Sequence, residues 1–198
     1  MLIIYWSKAD LMHSGPITTS NKRHKHKAFT LVEILVVISI IALLMGILTP
    51  VLNKAKVLAY RTVCKSNLYN LSLAFRMYLD GNRDIMPPAS MLPSLEDPND
   101  PAYKPPITEF LLPYLSEPKT FKCRADKKGY FQKEGSSYGY NHRLGGKPVS
   151  QSRDVQRGEE ERNIEVMYDY VPFHGEPGRP GATNYLYADG HIGDLRKQ

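Results

Sequence analysis

Few residues of this chain are placed to do chemistry, and the first is a carboxylate in an apolar run. Residues 27–48 read KAFTLVEILVVISIIALLMGIL. About twenty nearly continuous apolar residues suffice to cross a bilayer as a helix, and Glu33 lies near their start. An ionisable side chain inside such a segment is costly and points to function; the opposing reading is a boundary residue that snorkels to the headgroups. Cys64 and Cys123 come next, without CxxC spacing or metal-type clustering. They read either as a disulfide tying a helix to a later loop or as two buried thiols. His174, Asp189 and His191, near Glu176, Asn184 and Asp194, form the last group. Two histidines and a carboxylate without fixed spacing do not make a zinc motif. Calcium wants six to eight oxygens, and the acidic spacing here is sparse. No metal or cofactor is therefore expected; Asp189 and His191 are the residues a metal would fall to, against a plain Asp-Gly turn with surface histidines. Asp169 and the run Glu159, Glu160, Glu161 read as a solvated face and loop. No Ser-His-Asp constellation, phosphate loop or nucleotide fingerprint is present, so no enzyme is expected.

The charge pattern orients the apolar run. The formal net charge is +6 over 198 residues. Residues 1–28 carry five basic residues and one acidic one, +4 of that total, which leaves +2 for 29–198. The cluster NKRHKHK at 21–27 directly precedes the apolar run, the positive-inside pattern of a cytoplasmic N-terminus. A signal-peptide core is the rival reading. The length, Glu33 and the absence of a small-x-small cleavage site before Asn53 and Lys54 argue against it. Cys64 and Cys123 then lie in an exported, disulfide-permissive part. Tyr138, Tyr140, Tyr168, Tyr170, Tyr185 and Tyr187 alternate as the inner or lateral face of a sheet. A nucleic-acid stacking platform would need a basic groove, which a charge of +2 does not supply, so no nucleic-acid partner is expected.

The elements that must hold these residues follow from periodicity. Leu52, Ala55, Ala59, Val63, Leu68, Leu71, Phe75 and Tyr78 continue an apolar stripe past the membrane-length run. One helix over 30–79 is expected, about 75 Å long, stopped by Asp80, Gly81 and Asn82. A kink or local melting is expected between Gly46 and Pro50. A Pro-rich connection follows, with a short helix at 107–115. Strands are expected at 120–123, 136–141 and 163–170, with a hairpin over 183–195 on a two-residue Asp-Gly turn. The fold class is α+β: a long N-terminal helix, half transmembrane and half amphipathic, packed on a small antiparallel sheet. Segments are a leader at 1–28, a membrane helix at 29–49, an amphipathic half at 50–80 and an exported loop-rich β domain at 81–198.

The stretch Ala28-Phe29-Thr30-Leu31-Val32-Glu33 resembles the prepilin cleavage and methylation motif. With Phe29 as the first mature residue, Glu33 falls at the fifth position and Pro50 at the twenty-second, as in that family. The later features Cys64-Lys65-Ser66-Asn67-Leu68, Phe121-Lys122-Cys123-Arg124-Ala125-Asp126, Ser137-Tyr138-Gly139-Tyr140-Asn141 and His174 followed by Asp189-Gly190-His191 are similar to a class of type II secretion pseudopilin-like proteins. One residue departs from the pattern: Ala28 stands where the family normally has glycine, and the extra methyl slows or blocks cleavage.

The resemblance implies a pilin-like fold and a structural subunit of a type IV pilus-like filament or type II secretion pseudopilus. It implies cleavage between Ala28 and Phe29 by prepilin peptidase, N-methylation of Phe29, and a Glu33 that pairs with the new amine of a neighbouring subunit to set axial register. The implied partners are prepilin peptidase, other pilin or pseudopilin subunits and an inner-membrane assembly platform. The implied location is the bacterial inner membrane, single-pass, with the C-terminal domain periplasmic, and a surface filament after assembly. Some pseudopilins hold calcium in a C-terminal loop, so calcium is the cofactor the class admits. The alternative is a single-pass anchored envelope protein that never polymerises and displays a small binding domain.

Overall fold

The computed structural model describes residues 29–194. The leader, with Ala28 and the basic cluster, and the expected hairpin end at Leu195 lie outside the described residues. The chain divides into two compact units, one ending at Leu44 and the other beginning at Met45.

Helix α1 spans Leu31–Gly81. In the first unit its side chains are apolar on every face, and the membrane-length window has a mean hydropathy of 3.0 with none of it buried. A helix apolar all round, with no protein covering it, has the surface of a membrane span.

In the second unit α1 continues through Gly46 and Pro50 without a break, so the expected local melting is absent. Pro50 cannot donate to the carbonyl four residues back, which belongs to Gly46, and no side chain crowds that position. The loss stays local, and the Thr49 hydroxyl donates to the Met45 carbonyl at 2.7 Å. The apolar stripe is only partly covered. Leu52 and Val63 are exposed, and burial begins at Cys64 and runs through Leu68, Leu71, Ala74 and Phe75. The domain packed on α1 thus reaches less far along the helix than the stripe does.

The covering layer is a four-stranded antiparallel sheet in the order β1-β2-β3-β4. Its strands are β1 (Tyr138–Tyr140), β2 (Glu165–Asp169), β3 (Tyr185–Tyr187) and β4 (Ile192–Gly193). Tyr140 pairs with Met167, Met167 with Leu186 and Leu186 with Ile192, so these four share one face. That face meets α1: the Phe75 and Tyr140 rings stack at 6.0 Å. The next row, Gly139, Tyr168, Tyr185 and Gly193, lies on the opposite face. The tyrosines therefore divide. Tyr138 and Tyr140 are buried in the core, while Tyr168, Tyr170 and Tyr185 are half-buried. A register shift between Glu165 and Met167 lets both Val166 and Met167 turn inward.

Two expected elements differ. Residues 120–123 form no strand; Pro118–Phe121 is a 3-10 turn, because Pro118 fixes its own φ and starts a turn. The hairpin between β3 and β4 has a three-residue loop, not two. The Tyr187 amide donates to the His191 carbonyl at 3.0 Å and the Gly190 amide to the Tyr187 carbonyl at 2.9 Å. Gly190 sits at φ 90°, the left-handed position such a loop requires. The short helix at 107–115 is present as α2 (Ile107–Leu111) followed by a 3-10 turn at Leu112–Tyr114.

Candidate functional site

At the start of α1, Thr30 and Glu33 close a reciprocal cap. The Thr30 amide and hydroxyl each donate to Glu33 Oε2 at 2.9 Å, and the Glu33 amide donates to Thr30 Oγ1 at 3.2 Å. A Thr three residues before a Glu is the capping-box arrangement, which satisfies helix-start donors that otherwise have no partner. Glu33 is thereby tied to Thr30, the residue that follows Phe29. Phe29 itself is 72% exposed.

The second group lies in the other unit, where α1 meets the loops. A disulfide joins Cys64 on the helix to Cys123 in the loop after it, with Cα atoms 5.2 Å apart. Both residues are fully buried. His174 does not join Asp189 and His191. Its Nε2 lies 3.5 Å from Cys123 Sγ and 3.6 Å from Asp169 Oδ2, and both side chains of the His174–Asp169 pair are wholly buried. Asp169 is thus no solvated surface group. Its Oδ2 accepts from the amide of Asn184 at 2.7 Å and from Asn184 Nδ2 at 2.9 Å. Arg61 from α1 reaches Asn184 Oδ1 at 3.4 Å and pairs with Asp194.

Burial sets the charge state of this group. Loss of solvent pushes the Asp169 carboxyl up to about 7, against the Asn184 hydrogen bonds and the Arg61 charge. Loss of solvent, with Arg61 and Lys65 nearby, pushes His174 down to about 4. Both shifts favour the neutral forms. Asp169 Oδ1 and His174 Nδ1 are buried without a hydrogen-bond partner.

The C-terminal candidates separate. Asp189 and His191 form an exposed turn pair, with His191 Nδ1 2.6 Å from Asp189 Oδ1 and the His191 amide donating to the same oxygen at 3.0 Å. Asn184 serves the buried group, Asp194 pairs with Arg61 and Lys65, and Glu176 pairs with Arg179 at 3.5 Å on the surface. Their oxygens are therefore committed to different partners.

One feature escaped the sequence reading. Lys104, Arg143, Lys147, Arg153 and Arg157, with His142, line a cavity of about 580 Å³ against the single carboxylate Asp154. A net charge of +2 over residues 29–198 conceals this concentration, because the cations come from separate loops and from α4 (Arg153–Gln156). The cluster KPVSQSRDVQR at 147–157 was the sequence signal for part of it.

Residues 23–49 match the family model described as the prokaryotic N-terminal methylation motif. The match includes Ala28, Phe29 and Glu33 and ends just before Pro50. Comparison with curated proteins and with solved structures gave no match.

Proposed function

We propose, for a chain that carries the N-terminal methylation motif of the type IV pilin-like family on a pilin-like fold, a role as a structural subunit of a pilus-like filament or secretion pseudopilus. The motif is that of proteins processed by prepilin peptidase. The observation that carries the reading is the register of that motif on α1. The cleavage site at Ala28 and Phe29 immediately precedes the helix, and the fifth mature residue is the lone carboxylate at its start. The apolar half of α1 has the surface of a single-pass inner-membrane anchor, and the same bare surface suits helix-to-helix packing once subunits leave the bilayer.

In this reading the peptidase cuts before Phe29 and methylates its amine. Glu33 then has two tasks. Its carboxylate caps its own helix through Thr30, and its remaining lone pairs accept from the Phe29 amine of a neighbouring subunit. A buried carboxylate among apolar helices needs such a partner, and the pairing sets axial register as a buried polar residue does in a coiled coil. The chain performs no catalysis of its own. The exported sheet, packed on a helix that Cys64–Cys123 ties to the loop before the first strand, presents its loops outward for partner contacts.

Intact-mass measurement of the membrane-extracted protein tests this reading. The expected species begins at N-methylated Phe29. An uncut chain that retains the leader through Ala28 would reject it in favour of a non-polymerising anchored envelope protein.

A further inference from the structure

The Cys64–Cys123 disulfide is flanked by two further ligand-type side chains that the assembly role does not use. Cys64, Cys123 and His174 bring their ligand atoms within 4.8 Å of one another. Asp169 adds a carboxylate oxygen 3.6 Å from His174 Nε2. All four are buried, and two of the polar atoms in the group, Asp169 Oδ1 and His174 Nδ1, lack any hydrogen-bond partner. Native proteins rarely leave buried polar atoms unpaired, and each case calls for an explanation.

A zinc held by His174 Nε2 and Asp169 Oδ2 would leave Asp169 Oδ1 and His174 Nδ1 unpaired; what points to a metal is the spacing of the ligand atoms themselves. Bond lengths of about 2.3 Å to sulfur, about 2.0 Å to nitrogen and about 2.1 Å to oxygen give tetrahedral edges of about 3.8 Å between sulfurs, about 3.5 Å between sulfur and nitrogen, and about 3.4 Å between nitrogen and oxygen. His174 Nε2 stands 3.5 Å from Cys123 Sγ and 3.6 Å from Asp169 Oδ2. Two edges of the tetrahedron are therefore in place while the disulfide is intact. The sulfur pair must part, from bonded contact to about 3.8 Å, and Asp169, which stands outside the three-residue group of Cys64, Cys123 and His174, must close on the two sulfurs. Asn184 holds the Asp169 carboxylate with two hydrogen bonds, the kind of outer support that fixes a metal ligand.

We propose that reduction of Cys64–Cys123 converts this clasp into a closed zinc site with Cys64, Cys123, His174 and Asp169 as its four ligands. The reductant is a dithiol. Its two sulfurs become a disulfide, the Cys64–Cys123 bond breaks, and the two cysteines take up two electrons and two protons. Zinc then displaces the thiol protons to solvent, with the Asp169 proton where one is present. Four protein ligands leave no open position, so the ion is structural. The helix is tied to the Cys123 loop in both states, by a covalent bond in one and by a metal in the other.

The test uses the full chain in detergent micelles, with zinc alone as the probe and a phosphine as reductant. Equilibrium dialysis with metal analysis should find one zinc per chain in the reduced protein and none in the oxidised protein. Cobalt in place of zinc should give the absorption of a tetrahedral thiolate site. His174→Ala and Asp169→Asn, each shown by circular dichroism to fold when oxidised, should weaken zinc binding of the reduced chain by at least about tenfold. If the reduced chain unfolds without metal, zinc should refold it. Overturning results are a reduced chain that neither binds nor is refolded by stoichiometric zinc, zinc binding by the oxidised chain, and zinc binding unaltered by His174→Ala.

Discussion

Thr30 donates both its amide and its hydroxyl to one oxygen of Glu33, each at 2.9 Å. The carboxylate that the assembly reading needs is thus also the cap of its own helix, and the two roles separate by substitution. Glutamine serves a capping box as glutamate does, but it carries no charge for a neighbour's amine. Glu33→Gln should therefore leave the helix start and membrane insertion intact and remove the subunit from sheared filament fractions. Glu33→Ala should lose the cap as well. Immunoblotting of membrane and filament fractions checks both, and normal incorporation of Glu33→Gln would make Glu33 a cap and nothing more.

Cys64 and Cys123 close a sequence separation of 59 residues. In the chain-entropy account such a bridge contributes about 4 kcal/mol by restricting the unfolded chain. The double variant Cys64→Ser, Cys123→Ser should unfold at markedly lower denaturant concentration and with a steeper slope, because its unfolded chain is less compact. Denaturant titration of the oxidised protein and the variant measures the difference.

The sheet rests on one face of α1, and Leu71 is at its centre with no exposed surface. Leu71→Ala should cost about 2–5 kcal/mol through lost burial and the cavity left behind. Leu73, two positions on, is exposed, and Leu73→Ala should cost well under that. Thermal melts of the two variants, side by side, show which face of the helix carries the domain.

The sequence made α1 and the order of the strands legible, because a period of 3.6 or 2 survives whatever the tertiary packing. Gly81 ends the helix as its stop signal implies, and Glu33 stands out because a carboxylate among isoleucines and valines breaks a strong pattern. The Cys64–Cys123 bridge is one of two readings the sequence leaves open, but the polar group beside it was not legible. Asp169 and His174 come from one stretch and Asn184 from another, both far from the cysteines, and no local spacing records that they meet. The apparent grouping of His174 with Asp189 and His191 came from sequence proximity, whereas the turn at Gly190 sends the latter pair to the surface. The basic cavity was hidden for a related reason: a net charge is a sum, and a site depends on where its terms lie.

Asp126 gives the domain an acid-sensitive point. Burial opposes its charge, but hydrogen bonds from the Phe131 amide, the Ser137 hydroxyl and the amides of Tyr130 and Gly129 outweigh it and hold the carboxyl below its ordinary value. A depressed folded-state pKa means that the stabilisation is present above the unfolded value, near 3.8, and is lost as pH falls through the folded one. Asp126→Ala, which leaves the first-turn amides of α3 (Tyr130–Glu134) without an acceptor, should cost about 1–3 kcal/mol at neutral pH. The gap to the parent should narrow below about pH 4. Denaturant titrations at pH 7 and pH 3 measure both values.

Gly181 sits at φ 85° directly against Arg61. A Cβ added there would lie 2.6 Å from Arg61 Nη1, so alanine is opposed both by the backbone and by the guanidinium. Arg61 is the residue through which α1 reaches Asn184 and Asp194, and Asn184 in turn holds Asp169. Gly181→Ala should therefore act in two ways, through backbone strain of about 1–3 kcal/mol and through displacement of Arg61 from its partners. Arg61→Ala removes the second effect in advance. The double variant Gly181→Ala, Arg61→Ala should be more stable than the sum of the single losses implies, since residues in direct contact couple. A double-mutant cycle by denaturant titration reads the coupling, and strict additivity would place the whole effect of Gly181 in its backbone conformation.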